Sequence, residues 1–272
     1  VKDYALLPRP VKDLLRQSVG RNVVGENWWH VRFAAERFDA ERAEHIEVTA
    51  LAAGLDRIPS ATVAVVMPTY RRAERLVAAA TSALNQTMSD VVVIVVDDGG
   101  GEVEGLPDDP RLVVLRLSRN HGSPGLARNV ALRLSRSPYV AFLDDDNTWR
   151  PDHLEQALAA LQSGAGMVYT ALRRLREDGS ELDVLSRPFD RAAHRDGEWV
   201  DINAVVLRRF SGVRFDPWAR PRWVHPREDW EFVHRVSAKL RVRHVPVATV
   251  DYSVHSGSYF TDWDATAIGV ST

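Results

Sequence analysis

Three consecutive carboxylates, Asp144-Asp145-Asp146, follow directly on the apolar run Tyr139 to Leu143. Like charges so concentrated repel one another, and a hard cation with oxygen ligands, Mg2+ or Mn2+, relieves the repulsion. Taken alone, the triplet also reads as a solvated acidic turn. A second pair, Asp97-Asp98, ends the run Val91 to Val96, which is entirely Val and Ile. A carboxylate there can accept an N–H from a nucleobase edge or cap the next turn. Tyr70, after Pro68-Thr69, offers a ring face for a base, and Arg128 could reach a ribose or phosphate. Glu228-Asp229 precedes an amphipathic stretch, so the pair is either a helix-start cap or the source of a general base. His255 could be a metal ligand, a phosphate contact or a surface histidine.

Periodicity supplies the frame that would gather these groups. Thr62 to Met67 is a β-branched run ended by Pro68, which predicts a strand buried on both faces. Leu76, Ala79, Ala80, Ala83 and Leu84 predict an amphipathic helix. Val91 to Val96, Leu112 to Leu117 and Tyr139 to Leu143 predict further strands. Ser123 and Pro124 predict the N-cap and first position of a second helix, and Pro151 opens a third. This alternation implies an α/β fold with a mostly parallel sheet flanked by helices. Ligands bind such sheets beyond the carboxyl ends of the strands. Thr69-Tyr70-Arg71, Asp97-Asp98, Asn120-His121-Gly122 and Asp144-Asp145-Asp146 should therefore share one edge.

The flanks are less regular. Residues 1–25 show no sustained period, and 26–53 are helix-permissive with Trp28, Trp29, Phe33 and Phe38 interleaved. Those aromatics fit a helical extension packed on the main domain, or a contact with a partner or second copy. Beyond Ser163 the pattern predicts strands near 167–171 and 200–207, a helix over 230–240 and closing strands over 242–252. The expected division is 1–58 as an N-terminal extension, with 59–163 and 164–272 as two halves of one domain.

Composition limits the classes available. The 272 residues include no cysteine, which excludes disulfide scaffolds, thiolate zinc sites and a cysteine nucleophile. Lys+Arg 35 against Asp+Glu 37 gives a net charge of −2, so no global positive field suits nucleic acid. The longest strongly apolar run, Val91 to Val96, falls far short of the ~18 residues that span a bilayer. No charged leader opens the chain, and a cytoplasmic, soluble protein is expected.

In order and spacing, six segments resemble the inverting family-2 glycosyltransferases of GT-A fold. They are Val63-Ala-Val-Val-Met-Pro-Thr-Tyr-Arg71, Val93-Ile-Val-Val-Asp-Asp-Gly99, Asn120-His-Gly-Ser-Pro-Gly-Leu-Ala-Arg-Asn129, Tyr139-Val-Ala-Phe-Leu-Asp-Asp-Asp-Asn147, Arg227-Glu-Asp-Trp-Glu-Phe232 and Asp251-Tyr-Ser-Val-His255. The resemblance implies a nucleotide-sugar donor (UDP favoured, dTDP or GDP compatible), a hydroxyl-bearing acceptor and Mn2+ or Mg2+. It implies that Pro68, Tyr70, Arg71, Asp98, Arg128, Asp144 and Asp145 border the donor. Asp146 and His255 would contact the cation, and Asp229, beside Glu228, would be the base. Two features depart from the common pattern: Gly99-Gly100-Gly101 after Asp98, and the N-terminal extension. A nucleotide-sugar-binding protein without turnover and a GT-A-like nucleotidyltransferase are the competing readings. The latter lacks its Gly-rich loop after the first strand.

Overall fold

The computed structural model describes residues 9–101 and 103–254. Helices α1 (Arg9–Val19), α2 (Arg21–Arg32) and α3 (Ala34–Gly54) precede the sheet. Strand β1 (Val63–Thr69) and helix α4 (Ala73–Leu84) then lead to β2 (Val91–Asp97) and β3 (Leu112–Arg116). Helix α5 (Pro124–Arg133), β4 (Tyr139–Phe142), β5 (Thr148–Trp149) and α6 (His153–Gln162) follow. The last described elements are β6 (Met167–Leu175), β7 (Glu181–Leu185), β8 (Val205–Arg208), α7 (Glu228–Val236) and β9 (Val242–Ser253). One sheet runs in the order β3-β2-β1-β4-β8-β6-β9-β5, with β7 pairing with β6 off this path.

The α/β fold expected from the alternation is present, and parallel pairing predominates. β3, β2, β1 and β4 are all parallel, whereas β8 joins β4 and β6 antiparallel. The central strands are solvent-free on both faces, as their unbroken Val/Ile character requires: every residue from Val63 to Met67 and from Val93 to Val96 is 0% exposed. Helix α4 buries Leu76, Ala79, Ala80, Ala83 and Leu84. Ser123 caps α5 by accepting the Leu126 N–H at 3.1 Å, with Pro124 at the first position.

Several expectations need correction. Pro68 does not end β1, which runs on to Thr69. Pairing with β4 stops at Val66, whose carbonyl accepts from Leu143, while Thr69 accepts from Asp98 on the β2 side. Pro68 therefore faces a side where no strand continues, and its missing N–H costs no ladder bond. Pro151 opens a turn, and α6 starts at His153. The stretch expected as a strand over 200–207 begins with a 3-10 turn, Ile202–Ala204, and only then becomes β8. The late helix is shifted toward the N-terminus, spanning Glu228–Val236, and β9 is one long strand rather than several. Residues 9–25, which show no sustained period, hold α1 and the start of α2.

The N-terminal helices lie against the sheet domain through specific contacts. Phe33 stacks on Trp218 at 4.3 Å between ring centroids, and Trp29 meets Trp223 edge-on at 5.4 Å. Trp29 also donates its indole N–H to the His225 carbonyl at 2.8 Å. Helix α3 buries Glu44 and Glu47 against α5 and the loop after β3.

Candidate active site

A cavity of about 380 Å3 opens beyond the carboxyl ends of β1, β2 and β4. At one end it is lined by Pro68, Tyr70, Asp98, Asn120 and Gly122. Tyr70 is 37% exposed and presents a ring over which the Arg71 guanidinium sits at 5.2 Å. Arg71 has a positive φ of 53° and does not line the cavity; its neighbour Arg72 does. Asp98 is buried, and its two carboxylate oxygens accept the His121 and Gly122 N–H groups, each at 2.9 Å. Burial pushes its pKa up, opposed by those two hydrogen bonds. The turn is tight because Gly99 has φ 72° and a Cβ there would lie 2.3 Å from the Arg119 carbonyl carbon.

The Asp97 side chain does something else. It accepts from the Gly100 and Gly101 amides at 2.7 and 2.9 Å, closing the glycine turn on itself.

The acidic triplet divides its labour. Asp144 accepts from Arg128 at 2.7 Å and from the Asn203 amide at 3.2 Å. Asp145 is buried, accepting from the Thr69 hydroxyl at 2.7 Å and from Arg72 at 3.1 Å; burial raises its pKa to about 6. Asp146 pairs with Arg72 at 2.8 Å and with Asn147 at 3.0 Å.

Arg128 and Asp229 form the floor. Arg128 is 2% exposed, reaching Asp144 at 2.7 Å and Asp229 at 2.9 Å, with its guanidinium over Phe215 at 5.0 Å. Burial alone would lower its pKa, but Asp229, Asp144 and Glu228 outweigh that and hold it charged. Glu228 is buried beside it, 4.0 Å from the guanidinium. Solvent reaches 29% of the Asp229 side chain through the cavity mouth, while protein encloses the rest. That enclosure raises the Asp229 pKa well above the usual carboxylate range; Arg128 opposes the shift, and Glu228, Asp144 and Asp201 add to it.

The far end is lined by residues that sequence reasoning missed: His194, Glu198, Asp201, Asn203, Arg227 and Tyr252. Burial pushes Glu198 up to about 7 and Asp201 to about 6. Both precede β8 in irregular chain, where no period marks them. Arg227 and Tyr252 lie within the Arg227-Glu-Asp-Trp-Glu-Phe232 and Asp251-Tyr-Ser-Val-His255 segments, which were the detectable signals. Pro68, Tyr70, Asp98, Arg128, Asp144, Asp145, Asp146, Glu228 and Asp229 thus line one cavity. His255 lies outside the described residues.

The family model for glycosyl transferase family 2 matches residues 64–218. Among curated proteins, the chain is 36% identical over 138 residues to the succinoglycan biosynthesis protein ExoO of Rhizobium meliloti (strain 1021), covering 48% of this chain and 38% of that one. It is 35% identical over 100 residues to the poly(ribitol-phosphate) beta-N-acetylglucosaminyltransferase TarP of Staphylococcus aureus (strain N315), covering 34% of this chain and 31% of that one. The chain spans well under half the length of these relatives. Its fold resembles that of S. aureus TarS 1-349 in complex with UDP-GlcNAc, with a TM-score of 0.59 at 19% identity over 74% of this chain and 61% of that chain. No described helix is long and apolar enough to cross a membrane. The matched segment contains the ends of β1, β2 and β4 that line the cavity and exceeds half the chain, and the chain belongs to glycosyl transferase family 2.

Proposed function

We propose that this protein transfers a sugar from a nucleotide-diphosphate donor, with UDP favoured, to an acceptor hydroxyl, inverting the anomeric carbon by direct displacement. The observation that carries the reading is Asp229: a recessed carboxylate with a raised pKa, held by Arg128, in the same cavity as Asp98, Tyr70 and the acidic triplet. Nucleotide binding at the Tyr70–Asp98 end is supported by a stackable ring beside an acceptor carboxylate, which suits the imide N–H of uracil or thymine. The UDP-GlcNAc complex of the similarly folded TarS supports the same donor class. On this reading 59–163 is the nucleotide half and 164–272 the acceptor half, with 1–58 appended.

In the reaction, the acceptor oxygen forms a bond to the anomeric carbon as the bond from that carbon to the diphosphate oxygen breaks. The acceptor proton passes to Asp229, whose raised pKa suits proton capture near neutrality. Arg128 keeps the floor electrostatically balanced while Asp229 is ionised. The donor set at the triplet is all oxygen, the kind that suits Mn2+ or Mg2+; Asp146, which pairs with the half-exposed Arg72, would contact the cation. When bound, such a cation offsets the charge of the leaving diphosphate. Holding donor and acceptor in one cavity supplies orientation.

The test is donor turnover measured with UDP-, dTDP- and GDP-sugars in Mn2+, comparing wild type with Asp229→Asn. Turnover with a UDP-sugar that collapses in Asp229→Asn is expected. Undiminished turnover in the variant would remove Asp229 as the base.

A further inference from the structure

Helix α3 reaches the donor end of the cavity through a buried carboxylate. Glu47 is 4% exposed, and its oxygens accept from the Ser118 amide at 3.1 and 3.2 Å and from the Ser118 hydroxyl at 2.5 Å. One of them also pairs with Nε2 of His121 at 2.9 Å. The backbone N–H of that same His121, with that of Gly122, holds the Asp98 carboxylate from the other side. Between the two, Arg119 and Asn120 lie so close to Gly99 that a Cβ there would be 2.3 Å from one and 2.5 Å from the other. The loop 118–122 is therefore clamped at both faces, by Glu47 behind and by Asp98 and Gly99 in front.

We propose that Glu47 is a positioning residue for the nucleoside subsite: by fixing Ser118 and His121 it fixes the two amides that aim the Asp98 carboxylate. The proposal rests on the reading of Asp98 as the base-recognising group. Each Asp98 oxygen gives one lone pair to an amide and keeps another, and the direction of the remaining one follows the amides. Burial alone would raise the Glu47 pKa, but the Ser118 and His121 hydrogen bonds more than offset it, so the group stays ionised at neutral pH. A buried glutamate one turn away provides a comparator. Glu44 is 1% exposed but turns to Asn129, Arg133 and Arg214 instead of the loop.

The test measures the dissociation constant of UDP with Mn2+ by calorimetry, together with donor KM and kcat, on the full chain. Glu47→Gln is expected to weaken UDP and raise donor KM about tenfold, with kcat within about twofold, because a charged hydrogen-bond set is lost. Ser118→Ala, a milder change that preserves the fold, should give about threefold. Asp98→Asn should cost less in the Glu47→Gln background than in wild type, since both act on one contact. Glu44→Gln should lower the thermal midpoint while leaving UDP affinity unchanged. Wild-type affinity in a folded Glu47→Gln, additive losses with Asp98→Asn, or an equal affinity loss in Glu44→Gln would each overturn the proposal. If Asp98→Asn alone leaves UDP, dTDP and GDP binding intact, the reading of the subsite fails; if it abolishes binding and Glu47→Gln does not, only the role of Glu47 fails.

Discussion

One guanidinium nitrogen of Arg128 lies 2.9 Å from Asp229, and the other lies 2.7 Å from Asp144. A single cation thus ties the proposed base, 101 residues further along the chain, to the first carboxylate of the triplet. The planar guanidinium can do this because its donors fork in fixed directions while its face rests on Phe215, itself stacked on Phe232 at 4.1 Å. Three carboxylates crowd one floor, and this cation is what allows them to coexist.

Arg128→Met should therefore lose both function and stability. Removing the cation leaves the carboxylates facing one another, at an expected cost of ~3–5 kcal/mol in unfolding free energy and at least ~100-fold in kcat. Arg128→Lys keeps the charge but cannot reach both partners, so an intermediate loss is expected. Urea unfolding and steady-state kinetics on the two variants check this, and wild-type kcat in Arg128→Met would contradict it.

The raised pKa of Asp229 sets the direction of the pH profile. A general base works ionised, so kcat/KM should climb with pH until it passes that raised pKa and then level off. Asp229→Asn should be ~100- to 10,000-fold slower and lack the rise, while still binding UDP. A wild-type rate that falls as pH increases through neutrality would speak against this assignment.

Glu198 should make stability depend on pH with the opposite sense. Its folded pKa of about 7 lies above its ordinary 4.5, so its contribution is complete below pH 4.5 and is lost as pH rises through 7. Glu198→Gln should match wild type in unfolding free energy at pH 4.5 and exceed it at pH 8, by ~1–3 kcal/mol. Parallel melting curves across that range would show the carboxyl to be solvated.

A second buried network joins α2 to the segment that carries Glu228 and the proposed base Asp229. Arg220 reaches Glu26 at 2.6 and 2.7 Å, Asp216 at 2.8 Å and the Pro226 carbonyl at 2.7 Å. Arg220→Met should cost ~3–5 kcal/mol and lower kcat, since Pro226 lies just before Arg227-Glu228-Asp229. UDP affinity should hardly change, the reverse of the Glu47→Gln pattern. Calorimetry beside kinetics separates the two.

Much of the cavity lining was legible because it lies at strand ends. Unbroken Val/Ile runs can only be doubly buried strands, and in a parallel sheet their carboxyl ends share one edge. Asp98 and the triplet fall at those ends, so local pattern and topology together located them. Arg72 was hidden behind Arg71, because the positive φ at residue 71 decides which of two adjacent arginines turns inward. Glu198 and Asp201 lie in chain without a repeating period, where side-chain direction follows from contacts rather than from spacing.

The sequence by itself determined the alternation of strands and helices, the sheet edge where the cavity opens and most of the residues gathered there. Only the tertiary structure decided what those residues face. Along α2 and α3, the buried Glu26, Glu44 and Glu47 look like any solvated glutamate, since periodicity records polarity and not partners. Their burial is tolerated because Arg220 arrives from 194 residues away and Ser118 from 71. A charge leaves water only where a distant partner meets it, and that meeting is a property of the fold.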